Sequence, residues 1–224
     1  MNLKVAEQES DARIPQSRIA GVYDLNAPIY DIWGTLTESN ARQRAIELAG
    51  ITDGISILEV AVGTGLAFQE IVKRNPNGAN TGIDLSEGML ARARKRLEGA
   101  GKANYRIEKA SALDLPVESG TIDILFNNYM FDLLTIENMD RALDEFKRVL
   151  KPGGRLVLVN MTKGEKHGSC IYERIYRAFP ALMGGCRGVV LSGRLERHGF
   201  EVVTREYFQQ MLFPSEVILA TKAA

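Results

Sequence analysis

Between residues 55 and 222, short apolar runs alternate with segments in which apolar residues recur every three to four positions. These are the two periods of strand and helix. They predict strands over 55–60, 80–84, 104–109, 121–127 and 154–160, with helices over 64–74, 86–98 and 136–149. Strands alternating with helices imply βαβ units and a parallel sheet. Phe200–Tyr207 and Phe213–Thr221 read as two further strands joined by a short connection, an antiparallel hairpin. Upstream, 15–49 reads as two helical pieces broken near Asn26-Ala-Pro28, with Ile19, Val22, Tyr23, Ile29, Ile32 and Trp33 at helical spacing. The expected architecture is a single α/β domain: a doubly wound seven-stranded sheet, mostly parallel with an antiparallel C-terminal strand. A helical cap over 1–50 precedes a core over 51–160, and 161–224 supplies a cover and the terminal strands.

One junction carries more information than the rest. Ile57-Leu-Glu-Val-Ala-Val-Gly-Thr-Gly65 is a buried-looking strand that runs into a glycine turn and then a helix. Glycine tolerates positive φ and lets backbone approach a ligand closely, so this junction reads as half of a nucleoside site. Thr81-Gly-Ile-Asp84 ends a second strand in a carboxylate nineteen residues past Gly65, where a βαβ unit places an acid beside a ribose. A plain strand-to-helix turn and a helix-capping acid are the structural alternatives for these two features. Ser86 is suited to cap the helix that starts at Glu87-Gly-Met89, and Lys151-Pro-Gly-Gly154 stops the helix before it.

Charge and cysteine content narrow the partners. Lys+Arg and Asp+Glu both number 28, so no global field draws the chain to nucleic acid or an anionic membrane. A small-molecule partner is expected. Cys170 and Cys186, the only cysteines, lack metal-ligand spacing, and no metal site is expected. Met1–Asp11 is polar, without the apolar stretch of a secretory signal, and no window of about 18 apolar residues occurs, which points to a cytoplasmic protein. Peripheral contact with a membrane and the oligomeric state stay open.

Five motifs in order resemble the class I S-adenosylmethionine-dependent methyltransferases, whose sheet is Rossmann-like. Glu59-Val-Ala-Val-Gly-Thr-Gly65 looks like the family's first motif and Gly82-Ile-Asp84-Leu-Ser86 like its ribose-binding acid. Ala110-Ser-Ala-Leu-Asp-Leu-Pro116 resembles the adenine loop, Thr121–Asn127 the fourth strand, and Leu150-Lys-Pro-Gly-Gly-Arg155 the turn before the fifth. Tyr23-Asp24 and Tyr30-Asp31, two helical turns apart, resemble the lid of the ubiquinone and menaquinone enzymes and of bacterial phospholipid N-methyltransferases.

The resemblance implies S-adenosyl-L-methionine as cofactor. It assigns Tyr23, Tyr30, Glu59, Ala61, Gly63, Thr64, Gly65, Asp84, Leu85, Met89, Ser111, Ala112, Leu113, Asn127 and Asn128 to the cofactor. Glu59 would organise the methionine end, and a carboxylate in so apolar a run requires a partner. Ala61 stands where the family's first glycine is usual. Alanine is acceptable there if φ stays negative, and ordinary variation is expected. Ser111 replaces a frequent acid in the adenine loop.

The implied activity is methyl transfer to a small apolar or aromatic acceptor, such as a quinone precursor or a lipid head group. No catalytic residue is fixed. His167, in the glycine-rich cover, and Tyr129, after the fourth strand, are candidates, whereas His198 reads as a helix C-cap. Met130, Phe131, Met161, Ile171, Ile175, Phe179, Leu182 and Met183 suit an apolar acceptor and equally suit a core. Arg187 reads either as an anchor for an anionic head group or as a partner of Glu196. Two other classes remain. A non-catalytic cofactor-binding or interaction protein is one; an NAD-dependent oxidoreductase is the other, disfavoured because bulky Phe68 stands where the dinucleotide fingerprint wants its third glycine.

Overall fold

A computed structural model of the chain describes residues 39–99, 101, 103–163, 187–210 and 213–223. The described chain begins in helix α1, 39–48. It continues through β1 (Ser56–Val60), α2 (Leu66–Arg74), β2 (Ala79–Asp84), α3 (Glu87–Leu97), β3 (Tyr105–Lys109) and β4 (Ile122–Asn128). A 3-10 turn at Phe131–Leu133 precedes α4 (Ile136–Val149) and β5 (Leu150–Met161), followed by α5 (Ser192–Arg197), β6 (Phe200–Gln210) and β7 (Phe213–Lys222).

The seven strands form one sheet in the order β3-β2-β1-β4-β5-β7-β6. The ladders from β3 across to β5 are parallel, and β7 pairs antiparallel with both β5 and β6. The antiparallel C-terminal strand and the terminal hairpin are as the alternation of periods predicts. The hairpin is longer than expected, since β6 runs to Gln210. Strand β5 starts at Leu150 rather than 154, because the Lys151-Pro-Gly-Gly154 turn is absorbed as a bulge against β4 between Ile122 and Ile124.

Side-chain alternation gives the sheet two apolar faces. Leu58, Leu125, Leu156 and Ile218 face α4 and its Phe146, while Ile57, Phe126, Val157 and Val217 face α1 and α2. Helix α4 buries Met139, Ala142, Leu143, Phe146 and Val149, the three-to-four stripe read from sequence, with Thr135 Oγ1 accepting from the Asn138 amide at its cap. Strand β1 is the point where the chain changes direction across the sheet: β2 and β3 lie on one side, β4 onward on the other. Ligands of such folds bind in the crevice at the carboxyl ends of these strands.

Most of the cap and the cover fall outside the described residues: 1–38, with Tyr23 and Tyr30, and 164–186, with His167. The ends that flank 164–186 are joined to the body. The Val189 amide donates to the Met161 carbonyl at 2.9 Å, and the Arg187 amide to the Asp132 carbonyl at 3.3 Å. Arg187 is buried, and its guanidinium donates to the Leu134 carbonyl at 2.7 Å, so an exposed anchor does not describe it.

Candidate functional site

A pocket opens at the carboxyl ends of β1, β2 and β4, where the switch point places it. Its floor is the β1–α2 junction. Gly65 caps α2 with φ +81°, and a Cβ there would stand 3.1 Å from Ala93 of α3, so the position needs glycine for both conformation and space. Gly63 is also left-handed, and a Cβ on it would meet no atom within 4 Å. Its bare backbone therefore forms pocket wall. Ala61 departs from the sequence expectation: its φ is +59°, not negative. The turn demands the left-handed conformation that glycine supplies freely, and alanine holds it under strain.

Asp84 joins the two halves of the turn. Its Oδ2 accepts from the Gly63 amide and its Oδ1 from the Ser86 amide, both at 2.9 Å. Ser86 Oγ in turn accepts from the Met89 amide at 3.1 Å and caps α3. The carboxylate is thus fixed at the pocket wall. Beside it Leu85 is 44% exposed, which makes it one of two large apolar side chains so exposed among the described residues. Both Leu85 and Met89 line the pocket.

Ala110 and Ala112 bring the 110–116 loop to the same wall. Ser111 and Leu113, expected there too, are not among the lining residues. Ser111 Oγ accepts from the Leu113 amide at 3.1 Å, and Leu113 packs on the core. A short hydroxyl side chain has bonded the nearest loop amide instead of facing outward.

Glu59 and Arg42 bring further charge to the pocket. Glu59 is 2% exposed, and Asn128 Nδ2 donates to its Oε1 at 2.9 Å. Glu59 Oε2 and Asn128 Oδ1 are buried without hydrogen-bond partners among the described residues. Burial pushes the Glu59 carboxyl up to about 8; the Asn128 bond and the positive charge of Arg42 lower it, and Asp84 raises it further. Arg42 reaches this wall from α1. Sequence reading missed it, although Ala41, Ala45, Ile46 and Ala49 fix which face of α1 meets the sheet. Thr64 also lines the pocket.

The two asparagines that end β4 diverge, as neighbours in a strand must. Asn128 lines the pocket, whereas Asn127 is buried elsewhere and donates to the Val60 carbonyl at 2.8 Å. Tyr129 is left-handed, φ +51°, which turns the chain at the strand end. Its ring lies at the pocket edge, and its hydroxyl bonds Ser215 Oγ at 3.0 Å. Met130, Leu133 and Leu134 complete an apolar wall.

His198 is remote from this pocket. It caps α5 as expected, and its Nδ1 and Nε2 meet Asp144 and Asp140 of α4 at 2.8 and 2.9 Å. Among the described residues no group of three or more His, Cys, Asp and Glu side chains is arranged to hold a metal. No helix among them is long and apolar enough to cross a membrane.

Comparison with known proteins agrees with this geometry. A family model described as a methyltransferase domain matches residues 57–154. The chain is 36% identical over 154 residues to a ubiquinone/menaquinone biosynthesis C-methyltransferase of Hydrogenovibrio crunogenus, covering 65% of this chain and 59% of that protein. It is 34% identical over 164 residues to a demethylmenaquinone methyltransferase of Thermus thermophilus, covering 70% and 73% respectively. Among solved structures, the (4+2)-cyclase SpnF superposes with a TM-score of 0.74 at 18% identity, covering 93% of this chain and 96% of that one. At that identity the likeness establishes the fold alone.

Proposed function

Because the chain belongs to the class I S-adenosylmethionine-dependent methyltransferases, on the ubiquinone and menaquinone branch, we propose that it methylates a small aromatic acceptor of the quinone-precursor kind. The observation that carries the reading is the set of groups that one pocket brings together: Asp84 with Leu85, Arg42 with Glu59 and Asn128, and the bare Gly63 backbone. The cofactor carries groups complementary to each of these. Asp84 fits its ribose hydroxyls, and Leu85, Met89 and Ala112 fit the flat faces of a base. Arg42 fits a carboxylate, and the two unpartnered buried oxygens of Glu59 and Asn128 fit an ammonium.

When bound, the cofactor supplies a methyl group already electrophilic on a sulfonium. The protein's part is to hold that methyl and the acceptor in line and to keep water away, effects worth many orders of magnitude in effective concentration. Among the described lining residues the ionisable side chains are Arg42, Glu59, Asp84 and Tyr129, and the Tyr129 hydroxyl is bonded to Ser215. The reading therefore assigns no general base to them. A reduced quinone suits such a site, since its own ring oxygens make the adjacent carbon nucleophilic. Met130, Leu133 and Leu134 give it an apolar wall.

The test offers the protein methyl-labelled S-adenosylmethionine with either a reduced demethylated naphthoquinone or phosphatidylethanolamine vesicles, and follows the label by mass spectrometry. Label on the naphthoquinol supports the reading. Label on the lipid amine would replace it with head-group methylation, and binding of cofactor with transfer to neither would sink quinone methylation. Asp84→Ala is expected to weaken S-adenosylhomocysteine binding by about 1–3 kcal/mol through lost charge-assisted bonds to the ribose. Unchanged affinity by titration calorimetry would reject the ribose assignment.

A further inference from the structure

The Glu59–Asn128 pair has a property that identification of the cofactor does not supply. A carboxyl 2% exposed, given one hydrogen bond by an amide at 2.9 Å and none at its second oxygen among the described residues, is poorly solvated as an anion. Among the described residues the charges that act on it are few. Arg42 of α1 favours ionisation, Asp84 of β2 opposes it, and α2 brings only Leu66 and Ala67 to this part of the wall. The partner Asn128 is neutral, and its own Oδ1 is a second buried acceptor without a donor among the described residues. Acceptor oxygens on two hydrogen-bonded side chains, without donors among the described residues, suit one group that brings several N–H bonds and a positive charge.

We propose that Glu59 exchanges a proton for the ammonium of its ligand, so that binding is coupled to release of that proton and selects nucleosides that carry the ammonium. The inference rests on the cofactor reading above and goes beyond it. Without ligand the proton neutralises the buried carboxyl. The arriving ammonium neutralises it instead, the carboxyl O–H bond breaks, and the proton passes to buffer. Charge at the site is conserved: a neutral acid and a cationic ligand become an ion pair and one released proton. The raised Glu59 carboxyl agrees, since a group ionising near 8 holds its proton at neutral pH.

Titration calorimetry on the full chain tests this with two probes. S-Adenosylhomocysteine carries the ammonium; 5′-deoxy-5′-methylthioadenosine shares its nucleoside and lacks the amino acid. Measured at pH 6.5, where an α-amino group keeps its proton, in buffers of different ionisation enthalpy, S-adenosylhomocysteine is expected to release about one proton per site. Its affinity should rise about tenfold per pH unit from pH 5.5 to 7. Methylthioadenosine should release none and bind with a flat pH profile. Glu59→Gln should abolish the release and the slope, whereas Asp84→Ala should weaken both probes and leave the release intact. The wild-type contrast between probes stands even where a variant fails to fold. Binding of S-adenosylhomocysteine without proton release overturns the proposal alone. Failure of both nucleosides to bind overturns the cofactor reading and the proposal with it.

Discussion

At the scale of single residues, identity was legible in the sequence wherever one chemistry dominates a position. Asp84 could be read because a carboxylate at a strand end before a cap has few uses. Its two amide bonds show how it also shapes the turn. Arg42 could not be read, because Arg44 two positions along is chemically identical. Two residues on a helix point to different sides, so Arg44 pairs with Glu206 at 2.9 Å while Arg42 reaches the pocket. Ser111 Oγ takes the amide two residues on, a loop preference that sequence spacing does not display. Ala61 yields a direct test. Its left-handed φ of +59° costs an alanine about 1 kcal/mol or more. Ala61→Gly is therefore expected to stabilise the protein by about 0.5–1 kcal/mol after the entropy glycine returns to the unfolded chain. Gly65→Ala, with strained φ and a Cβ 3.1 Å from Ala93, should destabilise it by about 2 kcal/mol. Urea denaturation of both variants checks the pair. Equal and like-signed shifts would mean that these dihedrals do not govern the turn.

At the scale of elements, periodicity revealed the strands and helices but not what ties them together. The stripe that places α4 under the sheet is apolar, yet the opposite register of α4 holds the loop that lines the pocket. Glu145 Oε2 accepts from the Leu115 amide at 2.7 Å. Arg148 donates to the Leu115 carbonyl at 2.9 Å and to the Val117 carbonyl at 2.7 Å. Three residues apart, the two side chains are also paired with each other at 2.7 Å. On sequence alone this is an ordinary exposed helix pair, worth a few tenths of a kcal/mol. Bonded to loop carbonyls that its loss would leave unsatisfied, it is worth more. Arg148→Met is expected to lower stability by about 1–3 kcal/mol and to weaken S-adenosylhomocysteine binding, because Ala110 and Ala112 lie on the loop it holds. Lys73→Met, which breaks only the exposed pair with Glu70, serves as control and should change stability by less than about 0.5 kcal/mol. Similar losses in the two variants would show that the clasp is no stronger than a surface ion pair.

At the scale of the whole molecule, one buried carboxyl and several half-buried ones set opposing responses to pH. Burial alone would raise Asp123 and Asp140, but Asp123 bonds Lys151 and the Ser56 amide, Asp140 bonds Arg194 and His198, and both are held below the usual range. Arg148 draws Glu145 down in the same way. A carboxylate lowered by folding contributes stability that is present above its unfolded value and lost as pH falls through its folded one, so these three favour higher pH. Glu59 has the opposite sign. Raised to about 8, it contributes most below its unfolded value, and that contribution disappears as pH rises toward 8. The two sets place the stability maximum of the ligand-free protein on the acid side of neutrality, at about pH 5. Denaturation at fixed pH across this range should show a decline between pH 6 and 8 on the order of a few kcal/mol, which Glu59→Gln should flatten. Saturating S-adenosylhomocysteine should flatten it too, because its ammonium stabilises the ionised carboxyl that the empty pocket cannot. A wild-type profile level from pH 5 to 8 would mean that water or relaxation of the wall solvates Glu59, and would remove the basis for proton-coupled binding.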